Sequence, residues 1–250
     1  MDWLIGFFRD LHRVGGINLT IIYDAFDRAR MIDGALTTVR LAVCCLLLSV
    51  AIGIGGAWLQ TAGSRWLRAG VNAYVQFFRN TPPLVQLYFF YFAIGSLMPT
   101  MRDSFGHAEP MVSNFAWAVI ALSLVAGAFN VEIFRSGVEA VPRATIEAAE
   151  SLGFSRAQIY LRIVLPLAFR ICLPALNNNL VQLVKSTSLA YAIAVPEMLY
   201  VANQIWSDAV NVPEMMSFLL VAYVVMVGAL LAGMHRFERA LRLPGARPAA

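Results

Sequence analysis

The chain has 250 residues, is 59% hydrophobic and 14% charged, and has a net charge of +4 and a mean hydropathy of +0.67. Soluble globular domains carry about 25% charged residues, so this balance excludes an ordinary soluble protein and points to the lipid bilayer. No nucleic-acid partner is expected. Cys44, Cys45 and Cys172 lie in apolar runs, and His12, His107 and His235 are far apart; neither set has metal-ligand spacing, so no metal site is expected.

Residues 1–33 read as a separate N-terminal segment, periplasmic or interfacial. Its start, MDWLIGFFRD, lacks the basic opening and long apolar core of a signal peptide. Residues 34–240 read as the transmembrane domain and 241–250 as a cytoplasmic tail. A helix needs about 20 apolar residues to cross hydrocarbon. Five segments qualify, near 35–59, 82–98, 113–134, 164–184 and 214–234. A further apolar piece, 189–206, is broken by Pro196 and reads as re-entrant or interfacial. The expected fold is an all-α membrane protein with about five spans.

The loops set the orientation. Arg65, Arg68 and Arg79 lie in 60–80; Arg135, Arg143, Arg156 and Arg162 in 135–163; Arg236, Arg239, Arg242 and Arg247 in the tail. The opposite loops hold Arg102 in 99–112 and no base in 203–214. The excess of positive charge on cytoplasmic loops places the N-terminus outside and the C-terminus inside. Residues 142–166 then face the cytoplasm.

That loop carries an ordered pattern. Ile146 to Leu152 are mostly strong helix formers. Gly153 suits a helix end with positive φ, and Ser155 suits the N-cap of a second helix beginning at Arg156. Two short helices at an angle are expected, with small Ala148 and Ala149 available for close approach to a partner. By itself this could be a surface hairpin. Its spacing, EAA, three residues, Gly, nine residues, I-x-L-P, is met by Glu147, Ala148, Ala149, Gly153, Ile163, Leu165 and Pro166. This resembles the EAA loop of the membrane subunits of ATP-binding-cassette importers. The passages 34-GALTTVRLA-42, 79-RNTPPLVQLYFFYF-92, 128-AFNVEIFRSGVEAVP-142 and 185-KSTSLAYAIAVPEM-198 are similar to blocks of the polar amino acid permease group, whose members take histidine, glutamine, arginine, glutamate or opines. Pro83 stands where that group often has leucine, and Ala194 where it often has leucine or glycine.

The resemblance implies a permease subunit that forms the path for a polar amino acid across the bacterial inner membrane, inward. It implies three partners: an ATPase dimer docked on the loop, a second permease subunit (identical or a sister chain), and a periplasmic amino-acid-binding protein. Glu147 would offer a charge contact to the ATPase and Gly153 the bend. The chain is expected to be no enzyme and to bind no cofactor. Its one lysine, Lys185, stands outside any GxxxxGK[ST] pattern, so a partner must bind the ATP.

Polar residues within spans are costly and often functional. Gln86, Asn130, Glu132, Asn178, Gln182 and Lys185 are the candidate path residues. Asn178 and Gln182 are four apart and share a helix face, which Lys185 continues. The stripe either hydrogen-bonds neighbouring helices or lines a path for a zwitterionic solute. Glu132 either meets a cationic group of the solute or pairs with Arg135. Pro82 and Pro83 suit a first helical turn after Thr81, and Pro174 interrupts or kinks a span. The rival reading, an ion-gradient-driven secondary transporter of small polar solutes, calls for internal repeats and a self-contained midplane site; neither is evident.

Overall fold

The computed structural model describes residue 3, residues 6–8, 10, 12, 16–62, 64–102 and 108–241. Residues 242–250 of the expected tail, with Arg242 and Arg247, lie outside the described residues, as does part of the 1–33 segment. After a single turn at Thr20–Tyr23, the helices are α1 (Ala25–Ala62), α2 (Arg65–Asn80), α3 (Pro83–Leu97), α4 (Asn114–Glu139), α5 (Arg143–Ser151), α6 (Arg156–Ile193), α7 (Met198–Ala209) and α8 (Val212–Leu241).

Four of them, α1, α4, α6 and α8, are long and apolar enough to cross a membrane. The fifth expected span is the shorter apolar α3, whose middle, Phe89–Ile94, is π-helical and whose end, Gly95–Leu97, is 3₁₀. The all-α expectation misses one feature: Thr100–Arg102 (β1) and Ala108–Pro110 (β2) pair antiparallel in a short hairpin.

Helix α1 begins at Ala25 and runs through residue 34 without interruption. The cause is local. The Asp24 carboxylate accepts from the backbone N–H groups of Phe26 (2.7 Å) and Asp27 (3.3 Å), the N-terminal donors a helix leaves unpaired. Its 38 residues span about 57 Å, well beyond the hydrocarbon layer. Pro174 does not end α6, whose α-helical part runs unbroken from Leu165 to Ser186. The piece at 189–206 divides as expected: a 3₁₀ stretch, Thr187–Ile193, closes α6, Ala194 turns with φ +57°, and α7 follows.

The chain forms two compact units. The first takes residues 1–45, 83–122 and 183–228. Its core joins Met31 of α1 to Val201, Ala202 and Ile205 of α7 and to Met215 and Leu219 of α8. Arg30 reaches Asp208 at 3.2 Å and Gln204 at 3.1 Å. The Thr38 hydroxyl donates to Gly34 O and accepts from Met198 N, both at 3.0 Å.

The second unit takes 46–82, 123–182 and 229–250. Here α1 and α4 touch through glycine. A Cβ on Gly53 would lie 2.5 Å from that of Asn130, and one on Gly56 2.4 Å from Val131 Cγ2. Small residues of this kind let membrane helices gain van der Waals contact that lipid cannot supply.

Candidate functional site: the 142–166 loop and the polar face of α6

Helix α5 spans Arg143–Ser151, slightly longer at its start than expected. Its end is a Schellman motif: Phe154 N–H bonds Ala149 O at 3.2 Å and Gly153 N–H bonds Glu150 O at 3.0 Å. Gly153 takes φ +81°, a conformation that costs a residue with a Cβ. Ser155 then caps α6 in a capping box. Its hydroxyl accepts from Gln158 N–H at 3.4 Å, and the Gln158 carbonyl oxygen accepts from Ser155 N–H at 2.9 Å. The bend is fixed by its own backbone.

The seven loop residues divide by burial. Ala149 is 4% exposed and packs with Val141, Ile159, Val164 and Ala168; Ile163 is half-buried against the same cluster. The Ala149 methyl packs into the chain's own core, because helix periodicity turns it to the face opposite Glu147. Glu147, Ala148 and Gly153 are exposed, beside Leu152 at 77% exposure. Leu165 and Pro166 are exposed too, and Leu165 lines an apolar cavity of about 460 Å³ with Trp58, Phe134 and Tyr160. One feature that sequence could not reveal is the π-helical turn Tyr160–Val164, just before the I-x-L-P ending is complete.

The six candidate path residues do not form one cluster. Gln86 is buried at 3% exposure within the first unit. In the second unit, Asn130 is buried and accepts from the Asn179 amide at 2.7 Å; that amide also donates to Ala126 O at 3.0 Å. This pair ties α4 to α6. Glu132 is held by Arg135 at 3.0 Å and Arg79 at 3.7 Å, and Arg135 also reaches Glu139 at 2.8 Å. Glu132 is thus ion-paired within the chain.

Asn178, Gln182 and Lys185 lie exposed along one face of α6, continued by Pro174 and Ala175. Among the described residues no partner is recorded for the Asn178 or Lys185 side chain. Thr81 donates its hydroxyl to Phe77 O at 2.7 Å, within the preceding helix.

Two groups escaped the sequence reading. Arg40 is exposed in α1 at the start of the apolar run 41–59. Glu197 is fully buried and caps α7, accepting from Tyr200 N–H (2.8 Å), Leu199 N–H (2.9 Å) and the Tyr223 hydroxyl (3.2 Å). Burial pushes its carboxyl up to about 7, against the pull of the three donors. Its position directly after Pro196 and before an apolar helix was the available signal, but glutamate is not among the favoured N-caps.

Residues 47–243 match the family described as "Binding-protein-dependent transport system inner membrane component". The chain is 34% identical to the octopine transport system permease protein of Rhizobium radiobacter, over 78% of this chain and 79% of that one. It is 32% identical to the histidine/lysine/arginine/ornithine transport system permease protein of Escherichia coli, over 88% and 94%. It is 28% identical to the glutamate/aspartate import permease protein of the same species, over 85% and 87%. Among solved structures, an amino acid ABC transporter crystallised with histidines is similar with a TM-score of 0.75 and 26% identity, over 85% of this chain and 94% of that one. The methionine ABC transporter, inward facing, shares the fold at a TM-score of 0.63 and 19% identity, over 85% and 96%.

Proposed function

We infer, from the premise that this chain belongs to the binding-protein-dependent transport system inner membrane component family, the import of a polar amino acid through a path that the chain helps to form. It is a multi-pass membrane permease subunit of an ATP-binding-cassette importer, a transport component rather than an enzyme. The named relatives handle octopine, basic amino acids and acidic amino acids, which supports the substrate class. The ion-gradient alternative is not favoured.

The observation that carries the coupling reading is the rigid bend at Gly153, which presents Glu147, Ala148 and Leu152 outward while Ala149 and Ile163 anchor it. In this reading Glu147, Ala148 and Gly153 meet a groove of the ATPase, and Leu165 and Pro166 carry its movement into α6. Two ATPases bind the ATP, a periplasmic protein delivers the solute, and a second permease, identical or sister, completes the path. The exposed stripe Asn178, Gln182 and Lys185 faces that path or that second subunit. Asn130 and Gln86 support it from within, and Glu132 holds the inner end of α4. The arginine-rich segments lie inside, with the N-terminus outside and the C-terminus in the cytoplasm.

The test is uptake of labelled arginine, histidine, glutamate and glutamine into proteoliposomes holding the permease, its ATPase and its binding protein. ATP-dependent uptake of one class is expected. Uptake that ignores ATP and follows an ion gradient would overturn the reading.

A further inference from the structure

Two cavities of the second unit adjoin at Arg135, which belongs to the wall of both. The apolar one, about 460 Å³, lies among α1, α4 and α6 and is faced by Ile54, Trp58, Leu161 and Phe169. The other, about 420 Å³, is polar and takes Arg68, Asn72 and Gln76 of α2 with Glu132 of α4. Each volume falls in the range of small-molecule pockets, roughly 300–1,000 Å³. A polar chamber beside an apolar one matches the two ends of an amphiphile.

The polar wall is a wall of donors. Arg68, Asn72 and Gln76 are spaced by four, form one face of α2 and are all exposed. The amide carbonyls on that face are already engaged: Gln60 Nε2 donates to Asn72 Oδ1 at 2.9 Å, and Asn80 Nδ2 to Gln76 Oε1 at 3.0 Å. What Asn72 and Gln76 still present is their N–H groups. Among the described residues no ion pair or hydrogen bond is recorded for the Arg68 guanidinium. Such a face suits an anion with several acceptor oxygens. The one carboxylate in the wall, Glu132, is held by Arg135 at 3.0 Å and Arg79 at 3.7 Å.

The apolar wall faces outward. Ile54, Trp58, Leu161 and Phe169 are exposed, and they stand on two helices long and apolar enough to cross a membrane. On α6, the wall residues Leu165, Ala168 and Phe169 lie about 130° round the axis from Asn178, Gln182 and Lys185. The stripe read as facing the path or the second subunit is thus on another face, and the cavity is left to the bilayer.

We propose that the two cavities together bind one anionic phospholipid. Its phosphate oxygens accept from Arg68, Asn72 and Gln76, and an acyl chain passes Arg135 into the apolar cavity. Basic pockets between membrane helices suit such headgroups. A free phosphate would leave the apolar cavity empty, and a zwitterionic headgroup would bring an ammonium towards the Arg68 and Arg135 guanidinium groups. By the orientation inferred above the lipid belongs to the inner leaflet; the binding itself goes beyond the import reading and does not depend on it.

The experiment titrates the delipidated permease–ATPase complex in detergent with dioleoyl phosphatidylglycerol, phosphatidylethanolamine or phosphatidylcholine, and counts retained lipids by native mass spectrometry. The expected result is one phosphatidylglycerol per permease, held about tenfold or more tighter than either other lipid. Arg68→Gln should weaken it about tenfold, and Thr61→Trp, which fills the apolar cavity from an exposed position, should weaken it in the same direction. Arg236→Gln, an exposed base outside both cavities, should leave it in place. Inorganic phosphate at the same concentration should not displace the lipid. No preference for phosphatidylglycerol, binding unchanged in both Arg68→Gln and Thr61→Trp, an equal loss in Arg236→Gln, or displacement by phosphate (an anion site only) overturns the proposal. ATP-driven amino-acid uptake into proteoliposomes is measured in parallel. Uptake without selective lipid retention sinks this inference alone, whereas absence of ATP-driven uptake sinks the import reading.

Discussion

Glu197 has no exposed surface, and its carboxylate takes two backbone N–H groups at the start of α7 and the Tyr223 hydroxyl. No basic side chain is recorded among its partners, so burial governs its titration. With the folded carboxyl near 7 against an ordinary 4.5, the folded state binds the proton more tightly than the unfolded one. The contribution is fully present below about 4.5 and is lost as pH rises through about 7. Thermal unfolding in detergent should therefore show the protein losing stability across that window, and Glu197→Gln should flatten the slope. Equal slopes for the two proteins would remove this account. Gly137 is a second sensitive position. A Cβ there would sit 2.0 Å from Cys172 Sγ and 3.0 Å from Ala168 O, and Cys172 is itself held by a bond to Ile133 O at 3.2 Å. Gly137→Val should cost about 1–3 kcal/mol through overpacking, read as a lower unfolding midpoint; an unchanged midpoint would contradict the close approach of α4 and α6.

Among the elements, the α5–α6 bend depends on backbone conformation alone. No heavy atom lies within 4 Å of a Cβ built on Gly153, so a substitution there meets no clash, only the cost of φ +81°. For a residue with a Cβ that cost is about 1–2 kcal/mol. Gly153→Val should uncouple ATP hydrolysis from uptake at normal expression, while Gly153→Asn, which tolerates the left-handed region, should retain most coupling. Normal uptake by the valine variant would remove the proposed role of the loop. Ala194 presents the converse case. It sits at φ +57°, and Ala194→Gly should stabilise the turn by up to about 1 kcal/mol. A lower unfolding midpoint for that variant would contradict this.

For the whole molecule, burial separates neighbours that sequence treats alike. Asn178 and Asn179 are adjacent, yet Asn179 bonds Asn130 and Ala126 across to α4 while Asn178 lies exposed. Asn179→Leu should lower the unfolding midpoint by breaking a tie and leaving Asn130 short of its donor. Asn178→Leu should leave the midpoint unchanged and alter the apparent KM for uptake. Unchanged transport kinetics in Asn178→Leu would leave the stripe as a packing surface for the second subunit. The spans also differ in their surroundings: 67% of the apolar window of α4 is buried within the chain, against 11% for α8. Leu220, Val221, Val224 and Val225 of α8 are all more than half exposed, which suits lipid.

Hydropathy placed the long spans because a bilayer demands about 20 apolar residues of any helix that crosses it, a requirement local in sequence. The loop was legible for the same reason. Gly153 and Ser155 act through their own backbone and near neighbours, and both adopt the conformations their side chains favour. The Asn130–Asn179 tie and the Tyr223 bond to the buried Glu197 cap are of another kind. Each joins residues far apart in the chain, and a linear pattern carries the cost of burying a polar group without naming the partner that offsets it.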